Sequence, residues 1–344
     1  MPLPTDVAEL LRAGTVIPAH PLALDARRQL DERRQRALTR YYLAAGAGGV
    51  AVAVHTTQFE IRDAGVDLLK PVLELAADVV TAEADRPVVR IAGACGDTSQ
   101  AVGEAQLAAS LGYHAVLLSP AVPGASEADL LDRAAAVGEV LPLIGFYLQE
   151  AVGGPVLSLD FWHRFADLPA VVAIKAAPFN RYRTLDVVRA VAESDRGAEI
   201  TLYTGNDDAI LHDLLTPTPW PAHRFVGGLL GQFAVWTHTA VALLREAHAA
   251  QAGDEVARAA LLAKAAALTD ANAAVFDAAN GFAGCIAGVH EVLRRQGLFA
   301  GTWCLNPDED LSPGQAAELT RVVTAYPWLT DDEFVAEHRD DWLR

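Results

Sequence analysis

The sequence predicts a (β/α)8 barrel followed by a helical extension. Short aliphatic runs recur eight times, and each ends in a turn signal. Stretches with apolar residues at helical spacing lie between them. The eight units fill about 250 residues, the usual size of such a barrel. Strands buried on both faces read as near-continuous apolar runs, and their alternation with helices implies a parallel sheet. A doubly wound open sheet is the alternative. It is weakened because no Gly-x-Gly-x-x-Gly turn follows the first run.

In chain order the runs are TVIPA from Thr15, GVAVAVHTT from Gly49, PVVRIAGACG from Pro87, HAVLLSP from His114, LPLIGFYLQ from Leu141, AVVAIKAA from Ala170, ITLYTGND from Ile200 and RFVGGLLG from Arg224. QAVGEAQLAASLG is a helix that Gly112 stops. Ser126 with Asp129 caps LLDRAAAVGEVL, Ser158 caps LDFWHRFADL, and Thr184 is a candidate cap for LDVVRAVAES. AVWTHTAVALLREAHAA completes the barrel. The division is therefore a barrel over 1–253 and a helical extension over 254–344, built from EVARAALLAKAAALTDANAAVFDAAN, GCIAGVHEVLRRQG and SPGQAAELTRVVTAY.

Composition narrows the function. Against 27 Lys and Arg stand 44 Asp and Glu, a net charge of −17 that repels phosphate backbones and argues against nucleic acid. Three cysteines, Cys95, Cys285 and Cys304, form no Cys-x-x-Cys pair. Free thiols in a reducing cytosol are expected. The ten histidines show no His-x-His or His-Glu-x-x-His spacing, so a metal site is not indicated, and a covalent lysine imine would need no cofactor. The start, MPLPTDVAELLRAG, lacks the pattern of a signal peptide, and no apolar stretch approaches the roughly 20 residues of a membrane span. A cytoplasmic protein is expected.

Barrel enzymes carry their chemistry at the C-terminal ends of the strands. Lys175 ends the sixth run. Counted with strict alternation, Val171, Ala173 and Lys175 share one face. If that face is the interior, burial lowers the lysine pKa, and a neutral amine can condense with a ketone. A lysine that snorkels to the rim or pairs with a carboxylate is the competing reading. Thr56 and Thr57, with His55, end the second run, where hydroxyl and backbone N–H groups could hold a carboxylate. Gly205, Asn206 and Asp207 end the seventh, where Gly205 permits close backbone approach to a ligand. Leu230 and Gly231 end the eighth. Phe146 and Tyr147 end the fifth, and only one of the two can face inward. Arg181 and Arg183, after Lys175, are candidates to grip a second carboxylate.

These segments, in this order, resemble the dihydrodipicolinate synthase / N-acetylneuraminate lyase family from about Thr15 to Leu319. AVVAIKAA resembles the strand that bears the Schiff-base lysine, which falls on Lys175. VHTTQFE resembles the family's carboxylate-binding Gly-Thr-Thr-Gly-Glu, with His55 and Gln58 in place of the glycines and Phe59 inserted before Glu60. YTGNDD resembles the Gly-x-Asp segment near the bound pyruvyl group. The family's catalytic tyrosine falls on Phe146, with Tyr147 one place later: either the strand is shifted or the proton relay has changed.

The resemblance implies a class I lyase or aldolase acting on pyruvate or a related 2-oxo acid. Lys175, Tyr147 and Thr57 would be catalytic. His55, Thr56, Thr57, Gly205, Asn206 and Leu230 would bind substrate. It also implies a homo-oligomer, a tetramer or a dimer. A 2-keto-3-deoxy sugar acid dehydratase and a keto-acid-binding barrel without turnover are the alternatives.

Overall fold

The computed structural model describes residues 2–344. The first half runs α1 (Thr5–Ala13), β1 (Val16–Pro18), α2 (Glu32–Ala44), β2 (Gly49–Val52), α3 (Leu69–Glu83), β3 (Val89–Ala94), α4 (Thr98–Ser110), β4 (Ala115–Leu118), α5 (Glu127–Gly138) and β5 (Leu143–Leu148). There follow α6 (Leu159–Ala166), β6 (Val171–Ala177), α7 (Arg181–Glu193), β7 (Thr201–Thr204), α8 (Ile210–Leu215), β8 (Phe225–Leu230) and α9 (Thr237–Gln251). The extension holds α10 (Glu255–Val275), α11 (Cys285–Arg295), α12 (Gln315–Ala325) and α13 (Asp332–Trp342).

All eight strands among the described residues pair in parallel, in the order β1-β8-β7-β6-β5-β4-β3-β2. The ring is shut between β1 and β2 by the Ala19–Ala51 bridge and the His20 N–H to Ala51 carbonyl bond of 2.8 Å. The expected barrel is what the chain forms. Ile17, Ala51, Ile91, Leu117, Ile144, Ala173, Tyr203 and Leu229 fill its interior, while Val52, Val116, Leu143, Ile174 and Leu202 pack outward against the helices. Val7 and Leu11 of α1 join the interior cluster and plug its N-terminal end, where the Tyr203 hydroxyl donates to the Leu11 carbonyl over 2.8 Å.

Local signals explain most boundaries. Ser126 accepts from the Asp129 N–H while the Asp129 carboxylate accepts from the Ser126 N–H and hydroxyl. Ser158 accepts from the Phe161 N–H. Thr184 is not a cap: α7 starts three residues earlier, where Asn180 accepts from the Tyr182 and Arg183 N–H groups, and Thr184 donates back to the Asn180 carbonyl. Strict alternation also fails once in β6. Leu143 lies opposite Val171 but Ile144 lies opposite Ala173, so Val172 is an extra residue. This bulge turns Val171 outward and leaves Ala173, Lys175 and Ala177 facing in.

Candidate active site

A cavity opens at the C-terminal end of the barrel, with about 600 Å³ of empty space when its open mouth is included. A roomier groove lies at the other end of the barrel, lined by Arg12, Glu139, Arg196 and Glu199. It holds none of the strand-end groups on which barrel chemistry depends.

Lys175 projects from β6 into the C-terminal cavity and is buried. Phe146 lies opposite it on β5, and the lysine Nζ sits 4.3 Å from the centre of the Phe146 ring. Gly205 is required beside it, since a Cβ there would come within 2.5 Å of the Lys175 Cε. Burial draws the lysine pKa down to about 8, opposed by the nearby Asp207 carboxylate. Asp207 is half-buried in the cavity wall, and desolvation there pushes its carboxyl up to about 7. It accepts from the Gln232 N–H over 3.0 Å. The two groups face one low-dielectric space and titrate as a pair.

His55 and Thr56 complete this polar floor. Burial, reinforced by the Lys175 charge, lowers the His55 pKa to about 4, so the ring is neutral near pH 7. His55 opens a 3-10 turn over His55–Thr57. The N–H groups of His55 and Thr56, which begin this turn, have no acceptor within it. The Thr56 hydroxyl donates to the Ala19 carbonyl over 2.8 Å. Cys285, at the start of α11, also lines the cavity, and burial raises its pKa strongly, which keeps the thiol protonated.

Six expected site residues lie elsewhere. Tyr147 points outward: its hydroxyl donates to the Leu157 carbonyl and accepts the Leu157 N–H, and its ring packs 5.2 Å from that of Trp162. Strand alternation allows one of two adjacent residues inside, and Phe146 takes the place. Thr57 is turned under the loop, donating to the His20 carbonyl and accepting from the Val54 N–H. Asn206 is a brace, accepting from the Phe179 N–H and donating to Thr184 and Asp213. Leu230 faces the outer helical layer, and Gly231 lines the cavity in its stead. Arg181 and Arg183 are engaged by Asp213 and Glu150.

The structure puts Asp207, rather than its neighbour Asn206, in the cavity, and adds the lining residues Gln149, Val152, Phe179, Phe276 and Phe282. Only Asp207 had a signal in the sequence, its place in the strand-end Thr-Gly-Asn-Asp. No helix among the described residues is long and apolar enough to cross a membrane.

Comparison with known proteins gives one family. The model of the Dihydrodipicolinate synthetase family matches residues 12–326. Curated protein sequences gave no match. Among solved structures, dihydrodipicolinate synthase from Oceanobacillus iheyensis is similar at 20% identity and TM-score 0.74, over 94% of this chain and 99% of that one. YagE, a prophage protein from E. coli K12 solved with pyruvate, is similar at 19% and 0.73, over 92% and 99%. CdNal from Clostridium difficile, solved with mannosamine, is similar at 15% and 0.72, over 91% and 99%.

Proposed function

Since the chain belongs to the dihydrodipicolinate synthetase family, we propose that it is a Schiff-base lyase that holds pyruvate or a related 2-oxo acid on Lys175. The observation that carries this reading is the buried, charge-depleted amine in the cavity at the C-terminal end of the barrel. The neutral lysine nitrogen attacks the ketone carbon, and the carbonyl oxygen leaves as water. The resulting iminium withdraws electrons, so a proton can leave C3 to give an enamine. That carbon then bonds to an aldehyde, or the steps run in reverse and break the bond.

The N–H groups of His55 and Thr56 hold the substrate carboxylate at the start of their turn. Asp207 moves the proton, because its raised pKa lets it exchange one near neutral pH. His55 stays neutral and contributes a polar wall without adding positive charge beside the amine. The reaction needs no metal, and chelation is expected to leave it intact.

Incubation with pyruvate and borohydride is expected to fix a pyruvyl mass on the peptide containing Lys175 and to leave Lys175→Met unlabelled. Failure of a panel of 2-oxo acids to label the protein would overturn the reading. Exchange of the pyruvate C3 hydrogens with D2O, followed by NMR, separates enamine chemistry from mere covalent holding.

A further inference from the structure

The mouth of the cavity differs in character from its floor. Among the described residues, Lys175 is the only lysine or arginine that lines it. Arg181 and Arg183 are already paired with carboxylates. The Thr56 hydroxyl is spent on a backbone carbonyl, and the Asp207 carboxylate receives a backbone N–H.

Two aromatic rings cover much of the remainder, beside Leu148, Gln149 and Val152. Phe179 comes from the segment after β6 and Phe282 from the segment between α10 and α11, and both line the cavity. Their rings meet edge to face, 5.8 Å apart at 73°. Both residues hold backbone conformations that bulky side chains rarely adopt, with φ of 50° at Phe179 and 70° at Phe282. The conformations are pinned from outside the cavity. The Phe179 N–H donates to Asn206 Oδ1, and the Phe282 N–H donates to the Asp277 carbonyl. Strain held in this way gathers at ligand-binding positions.

We propose that the partner of the Lys175 enamine is an aromatic aldehyde whose ring is received by Phe179 and Phe282. This rests on the Schiff-base reading and deepens it. C3 of the enamine bonds to the aldehyde carbon, the former carbonyl oxygen takes a proton, and water releases a 4-aryl-4-hydroxy-2-oxobutanoate from the lysine. The reverse reaction splits that acid into pyruvate and the aryl aldehyde. An aromatic ring gains edge-to-face contacts at this mouth. A polyhydroxylated aldehyde would find few side-chain partners besides Gln149 and His55, and each hydroxyl left unpaired would weaken binding by about tenfold. An aldehyde bearing a second carboxylate would meet no free cation at the lining beyond the lysine already bonded to the keto acid.

The test is pyruvate consumption with benzaldehyde, glyceraldehyde and succinic semialdehyde, beside the borohydride trap. The expected result is a kcat/KM for benzaldehyde at least about tenfold above the other two, with an adduct on Lys175. Phe282→Ala is expected to raise the KM for benzaldehyde about tenfold with a smaller change in kcat. Preference for either polar aldehyde, or an adduct with no aldehyde consumed, overturns the aromatic partner and leaves the Schiff base standing. Absence of the adduct overturns the Schiff base itself.

Discussion

At Lys175 two opposing effects set the charge: burial lowers its pKa, and Asp207 raises it by a smaller amount. The reactive form is the unprotonated amine, whose share grows as pH rises through the folded-state value. Adduct formation with pyruvate is therefore expected to climb through a midpoint near pH 8, rather than near the 10.5 of an unperturbed lysine. Asp207→Asn removes the opposing charge, so the midpoint should move to lower pH. The same variant is expected to slow C3 hydrogen exchange by roughly 10²- to 10⁴-fold while still trapping pyruvate. An unmoved midpoint and unslowed exchange would remove Asp207 from the mechanism. Tyr147→Phe is expected to retain exchange activity within about twofold. It should lower stability by about 1–2 kcal/mol in urea titrations, because the Leu157 N–H and carbonyl lose their partner. Lys175 was legible because an amine at the end of an apolar run is rare and informative. Phe146 against Tyr147 was not, because adjacent residues in one strand carry identical local signals and only the register separates them.

The strands and most helix starts follow from local rules at the scale of single elements. Gly112 adopts the φ of 74° that ends α4, and Ser126 and Ser158 cap the helices after them. The bulge at Val172 has no local signal: it arises from the fit of β6 to β5. Counting alternate residues from Val171 therefore reached the right face for Lys175 by the wrong path. Gln58 is a second such case. It stands where the resembled motif has glycine and keeps a φ of 68°, and its side-chain carbonyl accepts the Leu305 N–H. The role of α1 was also hidden, because nothing in its amphipathic pattern says that it plugs a barrel. Leu11→Ala is expected to cost about 2–5 kcal/mol in chemical denaturation. Turnover should change little, since α1 lies at the end of the barrel remote from Lys175.

Across the whole molecule, the extension and the barrel are joined through buried polar groups. Asp331 accepts from the Tyr41 hydroxyl, the His238 N–H and Gln296 Nε2, tying α2 and the start of α9 to the end of α11 and to α13. Asp331→Ala strands these donors and is expected to cost about 3 kcal/mol. If the two parts unfold as one, urea should still give a single transition by fluorescence and circular dichroism; two separate transitions would show that the parts are energetically independent. Such long-range ties lie beyond a sequence reading, because 290 residues separate Asp331 from Tyr41.

The extension also reaches the cavity that holds Lys175. Asn272 and Thr269 of α10 donate to the carbonyls of Asp207 and Asp208, and Phe276, Phe282 and Cys285 border the cavity. If the proposed reaction holds, the bond-making nitrogen is encoded in one stretch of the chain and part of the selectivity in another, a hundred residues downstream. A chimera that exchanges only residues 276–285 for another loop would keep its covalent chemistry and acquire a new appetite for aldehydes, so such proteins can diversify their products while the lysine strand stays untouched.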